Sequence, residues 1–309
     1  NNDDTASNDC SGIVGWSNTA TYKNCLVIAD FDLNSGANAI CRGYKNISGC
    51  YYKENTCNYP NDATSVTAAQ LASGEVAYLL NGSVSGGTNW TQTIGTDDYP
   101  LPFDTHEKVY QYATSGYTNL PATDGTYQIG TAAQLAAFAT LVNGGTNTVN
   151  AELTADIDYT SDYVQIGGSY YGTFDGQGHT VTVAINSTKQ GAALFFNNYG
   201  TVQNLRVAGT ITTSSNNPGG ICYYNYGTIR NCVAEVDFIL TGAGVSVTAG
   251  GISGQATSGS RIENCMFKGS FTKGEGANEN TTNVGGIVGW MNGTPTVSNC
   301  LVIASIFYQ

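Results

Sequence analysis

The residues best suited to acid–base chemistry in this chain are its carboxylates. Asp156, Asp158, Asp162 and Asp175 form the densest acidic group, His179 follows closely, and Arg206, Arg230 and Arg261 recur downstream. A carboxylate pair at catalytic separation, or Ca²⁺ ligands beside a basic residue, would suit cleavage of an acidic polysaccharide. The local context argues for structure instead. Asp156 and Asp158 flank Ile157 and so project from one strand face, where charge protects an exposed edge from wrong pairing. Asp175 and His179 sit in the run Phe174-Asp175-Gly176-Gln177-Gly178-His179, a Gly-rich turn whose residues set backbone shape. The three Arg recur near turns and could form a ladder, but read as solvated or as bound to a neighbouring turn carbonyl; Asp97-Asp98 could bind a cation, but reads as a solvated loop pair. Two His in the whole chain leave little for general-base work, and there is no C-x-x-C for zinc. No catalytic residue, metal or cofactor is expected.

Two other side-chain sets have suggestive spacing. Cys25, Cys232, Cys265 and Cys300 each follow an Asn, and Cys50 follows Gly49; Cys41 and Cys222 share a second context, while Cys10 and Cys57 are unmatched. Nine Cys in a secreted chain would ordinarily suggest disulfides. A recurring position is explained better by packing of small, soft, reduced side chains. Cys41 with Cys57 could form an extra bridge, and connectivity is not readable from sequence. The tyrosine groups Tyr170-Tyr171, Tyr223-Tyr224 with Tyr226, and Tyr51-Tyr52 offer amphipathic rings that could stack on sugar, with Tyr170, Tyr171, Tyr223 and Tyr224 as the glycan contacts. The ordinary alternative is that Tyr is a good strand residue filling external rows.

Composition bounds what these residues could serve. Of 309 residues only 11% are charged, and Lys+Arg 11 against Asp+Glu 23 gives a net charge of −12. That excludes a phosphate-neutralising face and a polybasic membrane surface. No apolar run reaches the length of a membrane span, so no membrane insertion is expected. With 39 Gly and 20 Tyr, the chain suits short strands and turns rather than long charged helices. It opens Asn-Asn-Asp-Asp without Met or a leader, which reads as a processed or excised segment. Sequons start at Asn46, Asn81, Asn89, Asn186, Asn280 and Asn292; several would occur by chance in a chain this rich in Asn, Ser and Thr, and sequons alone do not show glycosylation.

The positioning elements come from a repeat. Gly219-Gly220-Ile221 leads to Asn231-Cys232, Gly250-Gly251-Ile252 to Asn264-Cys265, and Gly285-Gly286-Ile287 to Asn299-Cys300; Ser11-Gly12-Ile13 leads to Asn24-Cys25 at the other end. The first and last of these along the chain share GIVGW and NCLVIA. Weaker copies run from Ala193-Leu194-Phe195 to Asn204-Leu205 and from Ala39-Ile40-Cys41 to Gly49-Cys50. Each copy holds short runs of period-2 apolar alternation separated by a Gly/Asn/Tyr turn, with no crossover helix. A period of this size built from strands predicts an all-β fold, a β-solenoid whose coils pair only with their neighbours. Cys25, Cys50, Cys232, Cys265 and Cys300 would then form an inward ladder at about 4.8 Å spacing, with the Asn forming a hydrogen-bonded row at the bend.

The stretches Ala193 through Asn204 and Gly219 through Cys232, each carrying Asn-Tyr-Gly-Thr, resemble the GLUG-type repeats of bacterial surface proteins, and Phe174-Asp175-Gly176-Gln177-Gly178-His179-Thr180 resembles the opening coil of right-handed parallel β-helices. The resemblance covers roughly 10–60 and 125–309. It implies a pectate-lyase-like right-handed parallel β-helix in a secreted, cell-surface, adhesin-like bacterial protein, and says little about activity. Two segments differ: Thr67-Ala68-Ala69-Gln70-Leu71 through Asn81-Gly82, and Thr131-Ala132-Ala133-Gln134-Leu135 through Asn143-Gly144. Both have a Thr start and a helical apolar pattern, and both are expected to close open coil ends.

The expected organisation is terminal coils at 1–60, a cap helix and connector at 61–124, a cap helix at 125–150, and coils at 151–309. From Ile221 to Ile252 is 31 residues and from Ile252 to Ile287 is 35; continuing from Ile287 through Gln309 to Ile13 of a following copy again gives 35. The two ends are thus in register. Three arrangements satisfy this: separate chains joined head to tail, tandem copies in one polypeptide, or closure in cis. The first two make the chain a structural subunit or repeat period of an extracellular filament. Its partners would be copies of itself, and its junction would be Cys10, Ile13, Val14, Trp16, Cys25 and Leu26 facing Val284, Ile287, Val288, Trp290, Cys300 and Leu301. A monomeric glycan-binding adhesin module is the alternative, with a host or microbial glycan as partner.

Overall fold

A computed structural model describes residues 10–17, 19–29, 31, 37–43, 46–103, 105–241, 247–275 and 282–307; the sequon at Asn280 and the terminal Gln309 lie outside them. The chain divides into two compact units, Asn1–Asn119 and Leu120–Gln309. That boundary falls a few residues before the expected start of the second cap. Pairing in the first unit also runs past residue 60, to the strand Thr64–Val66.

The second unit is built by strands that join three sheets in rotation. The first sheet pairs Thr126–Ile129, Asn150–Leu153, Thr173–Asp175, Thr201–Gln203, Thr228–Arg230, Arg261–Glu263 and Thr296–Ser298, all parallel, with Ala122–Thr123 added antiparallel at its start. The second pairs Ile157–Tyr159, Thr180–Ser187, Arg206–Thr213, Val233–Leu240, Met266–Lys273 and Leu301–Phe307, again parallel. The third pairs Phe195–Asn198, Cys222–Asn225, Ser253–Thr257 and Val288–Asn292 in parallel. Each sequence repeat therefore supplies one strand to each sheet, and successive repeats lie on one another as layers.

The alternation read from sequence sets which side chains face inward. In Thr180–Ser187, Val181, Val183 and Ile185 are buried and their neighbours are not. Register carries this from layer to layer. Val181, Val207, Ala234 and Phe267 are cross-strand partners, as are Ile185, Ile211, Phe238 and Phe271, and all eight are essentially inaccessible. Phe238 lies on Phe271 at 4.7 Å between ring centres and 12° between planes. In the first sheet Phe174, Val202, Ile229 and Ile262 form a third buried row.

Helix α3 (Ala132–Asn143) starts at Thr131, whose hydroxyl accepts from the Gln134 N–H. Its Phe138 packs against Tyr127, Tyr170 and Phe174, at 6.1, 6.0 and 5.9 Å. In the first unit the Thr67 start also holds, through a reciprocal capping box with Gln70. The single helix expected there is two short ones, α1 (Ala68–Ala72) and α2 (Glu75–Leu80), because Gly74 takes φ +88° between them. The connector after it carries the hairpin Val109–Ala113 with Gly116–Asn119.

The remainder of the first unit repeats the layered pattern. Val14–Ser17 pairs Cys41–Gly43, Thr21–Lys23 pairs Asn46–Ser48, and Leu26–Val27 pairs Tyr51–Lys53, all parallel. These observations establish a predominantly β chain with parallel sheets. Among the described residues no helix is long and apolar enough to cross a membrane.

Candidate functional site

The carboxylates do not converge. Asp156 accepts from the Thr180 N–H at 2.9 Å and meets His179 Nδ1 at 3.2 Å, so the backbone bond first and His179 second hold its pKa below the ordinary value. Asp158 is engaged with Thr160 instead, through both hydroxyl and N–H. Burial works against ionisation of Asp175, but hydrogen bonds from Gln177 N–H, Gln203 and Asn204 outweigh it and its pKa is lowered. The Arg row also does not form. Arg206 lies in the second sheet with Glu235 at 2.8 Å, Arg230 bonds Gln203, and Arg261 faces Thr228 and pairs Glu263. Arg230 and Arg261 stand at opposite ends of their short first-sheet strands. Asp97 is bound to His106 at 2.9 Å rather than standing free in a loop. Among the described residues no group of three or more His, Cys, Asp or Glu is disposed to hold a metal.

The Asn-Cys pairs mark the corner between the first and second sheets. Asn24, Asn204, Asn231, Asn264 and Asn299 all take φ between 51 and 54°, the left-handed conformation that Asn tolerates best after Gly. Asn231 Nδ2 donates to Asn204 Oδ1 and Asn264 Nδ2 to Asn231 Oδ1, each at 3.2 Å. The sulfurs share one local geometry: Cys232, Cys265 and Cys300 each donate to the carbonyl two residues earlier, at 3.1, 3.2 and 3.2 Å, and Cys25 and Cys50 do so at 3.4 and 3.5 Å. None of the nine cysteines is in a disulfide.

Burial pushes the Cys222 and Cys232 thiols upward, and does the same more weakly at Cys25, Cys57 and Cys300. Enclosure itself keeps a thiol from the reagent, including Cys265, whose pKa the hydrogen bond with Cys232 lowers. Iodoacetamide in native buffer is therefore expected to modify exposed Cys10 first. The buried Cys41, Cys50, Cys222, Cys232 and Cys265 should react at least about 100-fold more slowly, through opening of the layers. Peptide mass spectrometry against time reads this directly, and equal rates at Cys10 and Cys232 would contradict the closed corner.

Most of the exposed large apolar side chains among the described residues of the second unit belong to its last layer. Val302 and Ile306 continue the two buried rows, as partners of Phe267 and Phe271, yet are 43% and 48% exposed. Leu301, Ile303, Trp290 and Met291 beside them are about half exposed. Val284, Ile287, Val288 and Cys300 are half-buried, and Val297 ends the third row. Thr296–Ser298, Leu301–Phe307 and Val288–Asn292 are each the edge of their sheet. Among the described residues the buried rows end here, with one side of each of these strands unpaired.

The first layer of the first unit is the corresponding opposite edge. Among the described residues, Val14–Ser17, Thr21–Lys23 and Leu26–Val27 each pair on one side only, toward the following layer. Ile13 and Trp16 are exposed, with the Arg42 guanidinium 5.8 Å from the Trp16 ring centre. Val14, Cys25 and Leu26 are half-buried, and exposed Cys10 accepts from the Asn38 N–H. The two edges share Ile-Val-Gly-Trp, at 13–16 and 287–290, and Asn-Cys-Leu-Val-Ile-Ala, at 24–29 and 299–304, and their corner residues Asn24 and Asn299 match in φ, 51 and 53°.

Of the expected glycan contacts, two are not surface groups. Tyr170 is fully buried and donates to the Val149 carbonyl, and Tyr223 is 3% exposed. Adjacent strand residues face opposite ways, so a Tyr-Tyr pair sends one ring inward. Tyr171 is exposed, in a row that the sequence reading missed. It stacks on Tyr199 at 4.9 Å and 21°, and Tyr199 on Tyr226 at 4.3 Å and 3°. The signal was present as Tyr-Gly-Thr at 171–173, 199–201 and 226–228. Tyr224 lies 5.9 Å from Tyr226, and beyond it the surface opens into a cavity of about 360 Å³.

No protein-family model matches the chain, and no curated protein matches it. Among solved structures it is similar to one described as a "putative immunoglobulin A1 protease from Bacteroides ovatus", with 21% identity over 62% of this chain and 80% of that chain and a TM-score of 0.44.

Proposed function

We propose that the chain is a structural module of an extracellular, cell-surface filament: a right-handed parallel β-helix with helical caps, in which the first layers of one copy complete the open last layer of another. The observation that carries this reading is the cut core at Val302 and Ile306, whose partners in every preceding layer are buried. The edge around Ile13, Trp16 and Leu26 supports it as the matching surface. It presents the same repeat, the same corner and the opposite free side, so stacking it there keeps every strand parallel. Such a contact joins unlike faces and propagates instead of closing. Mechanistically it continues three hydrogen-bonded sheets and three apolar rows, and performs no chemistry. Separate chains and tandem copies in one polypeptide use the same interface.

Two blocked variants test it. Val302→Asp spoils the last layer and Ile13→Asp the first, each leaving the other edge intact. Sedimentation velocity on the unaltered chain is expected to show oligomers that lengthen with concentration. Each variant alone should associate about 100-fold or more weakly, because an unpaired buried carboxylate costs about 3–5 kcal/mol. Mixed, they should form a one-to-one dimer through their two intact edges. An unaltered chain that stays monomeric at every concentration, or a mixture that fails to pair, would sink the reading.

A further inference from the structure

We propose that the end of the tyrosine row is a binding site for a neutral pyranose. Within the row the rings are too close for anything to enter between them, 4.3 Å apart at Tyr199 and Tyr226. The stack stops at Tyr226, because Asn225 pairs with Ala256 and the next layer continues with Thr257 and Ser258 instead of a fourth Tyr-Gly. At that point lies the cavity of about 360 Å³, lined by Tyr224, Tyr226, Gln255, Thr257, Ser258 and Asn292. Its volume falls in the range of about 300–1,000 Å³ usual for small-molecule sites.

The lining has the two chemistries a sugar ring needs. Tyr224 and Tyr226 supply aromatic surface for the apolar C–H face of a pyranose. Amide and hydroxyl groups then surround the position of the sugar hydroxyls. Gln255, 9% exposed, uses its oxygen on Asn217 at 3.4 Å and keeps its amide N–H groups. Ser258 Oγ accepts from the Thr294 N–H at 3.1 Å and retains its own proton to donate. The Asn292 amide makes no hydrogen bond among the described residues. No charged side chain lines the cavity, and a chain of net charge −12 repels acidic sugars. The ligand class is therefore a neutral hexose, not a uronic or sialic acid. Asn292 comes from the edge strand Val288–Asn292 and the other five lining residues from earlier layers of the same chain, so the site is complete without a second copy.

Saturation-transfer NMR on the intact chain tests this, with methyl β-D-glucopyranoside, methyl β-D-galactopyranoside and methyl α-D-mannopyranoside as probes and methyl α-D-galacturonoside as the charged control. At least one neutral glycoside is expected to bind, with a dissociation constant on the order of millimolar. Tyr226→Phe should keep the signal, and Tyr226→Ala should weaken binding about tenfold. The monomeric Val302→Asp chain should bind as the unaltered chain does, which separates this site from the junction. Silence from all three neutral glycosides, an equal response to the galacturonoside, or undiminished binding in Tyr226→Ala would each overturn the assignment.

Discussion

Phe238→Ala is expected to destabilise the second unit by about 3–5 kcal/mol, read as a shift of the urea midpoint followed by far-UV circular dichroism. Phe238 is inaccessible and stands in the middle of a row, with Ile211 before it and Phe271 after it. Its ring stacks on Phe271 at 4.7 Å and is tilted against Phe267 at 6.1 Å. The alanine variant loses both the transfer free energy and those ring contacts. The void it leaves is bounded before and after by Ile211 and Phe271, whose strands are held in a parallel sheet, which limits collapse into it. Ile306→Ala, the same row one layer past Phe271 but half exposed, should cost about 1 kcal/mol or less in the unassembled chain. A loss below 1 kcal/mol for Phe238→Ala would mean that the layers slide to refill the space.

Gly200→Ala should be as damaging, for a steric reason. A Cβ at Gly200 would lie 2.0 Å from the Gly172 carbonyl oxygen and 2.6 Å from the Tyr171 carbonyl carbon. Those atoms are backbone, so the clash is relieved only by separating two layers. The hydrogen bonds from Tyr199 and Gly200 N–H to Tyr170, at 2.7 and 3.0 Å, and the Tyr171–Tyr199 stack are lost with it. The expected loss is about 3 kcal/mol or more. Gly259→Ala is the control: its φ is +81° but open space surrounds it, so only backbone strain of about 1 kcal/mol applies. Thermal melts of the two variants side by side decide the point, and equal melting temperatures would contradict the close layer approach.

How much of this was legible in the sequence depended on whether a feature is local or needs the register. The Asn-Cys corners were readable because left-handed backbone favours Asn at one position per repeat, and Asn24, Asn231, Asn264 and Asn299 all satisfy it. The buried rows followed from period-2 alternation. Tyr170 and Tyr171 were read as a pair, although the same alternation puts one in the core and one outside. Asp156 with His179 was not readable, since it depends on Ile157 facing Val181 and not on sequence neighbours. The Arg row failed for the same reason: Arg230 meets Glu263, one repeat on, while Arg261 sits at the other end of that strand. The break at Gly74 needed tertiary context as well, for a Gly inside a helical pattern is often tolerated.

The layered pairing also sets how the chain finds its fold. Val202 pairs Ile229, Ile229 pairs Ile262 and Ile262 pairs Val297, so each contact closes a loop of about 30 residues whichever layer forms it. Most β folds slow as they grow, because their strand pairings span ever longer stretches. Here the closure cost per layer is constant, and the difficult event is the first one. The cluster of Phe138, Tyr170, Phe174 and Phe195, with ring centres 5.2 to 6.0 Å apart in four pairs, is the densest place for that nucleus. With the remaining layers expected to add from it one at a time, the unit can lengthen by whole repeats without becoming a slower folder.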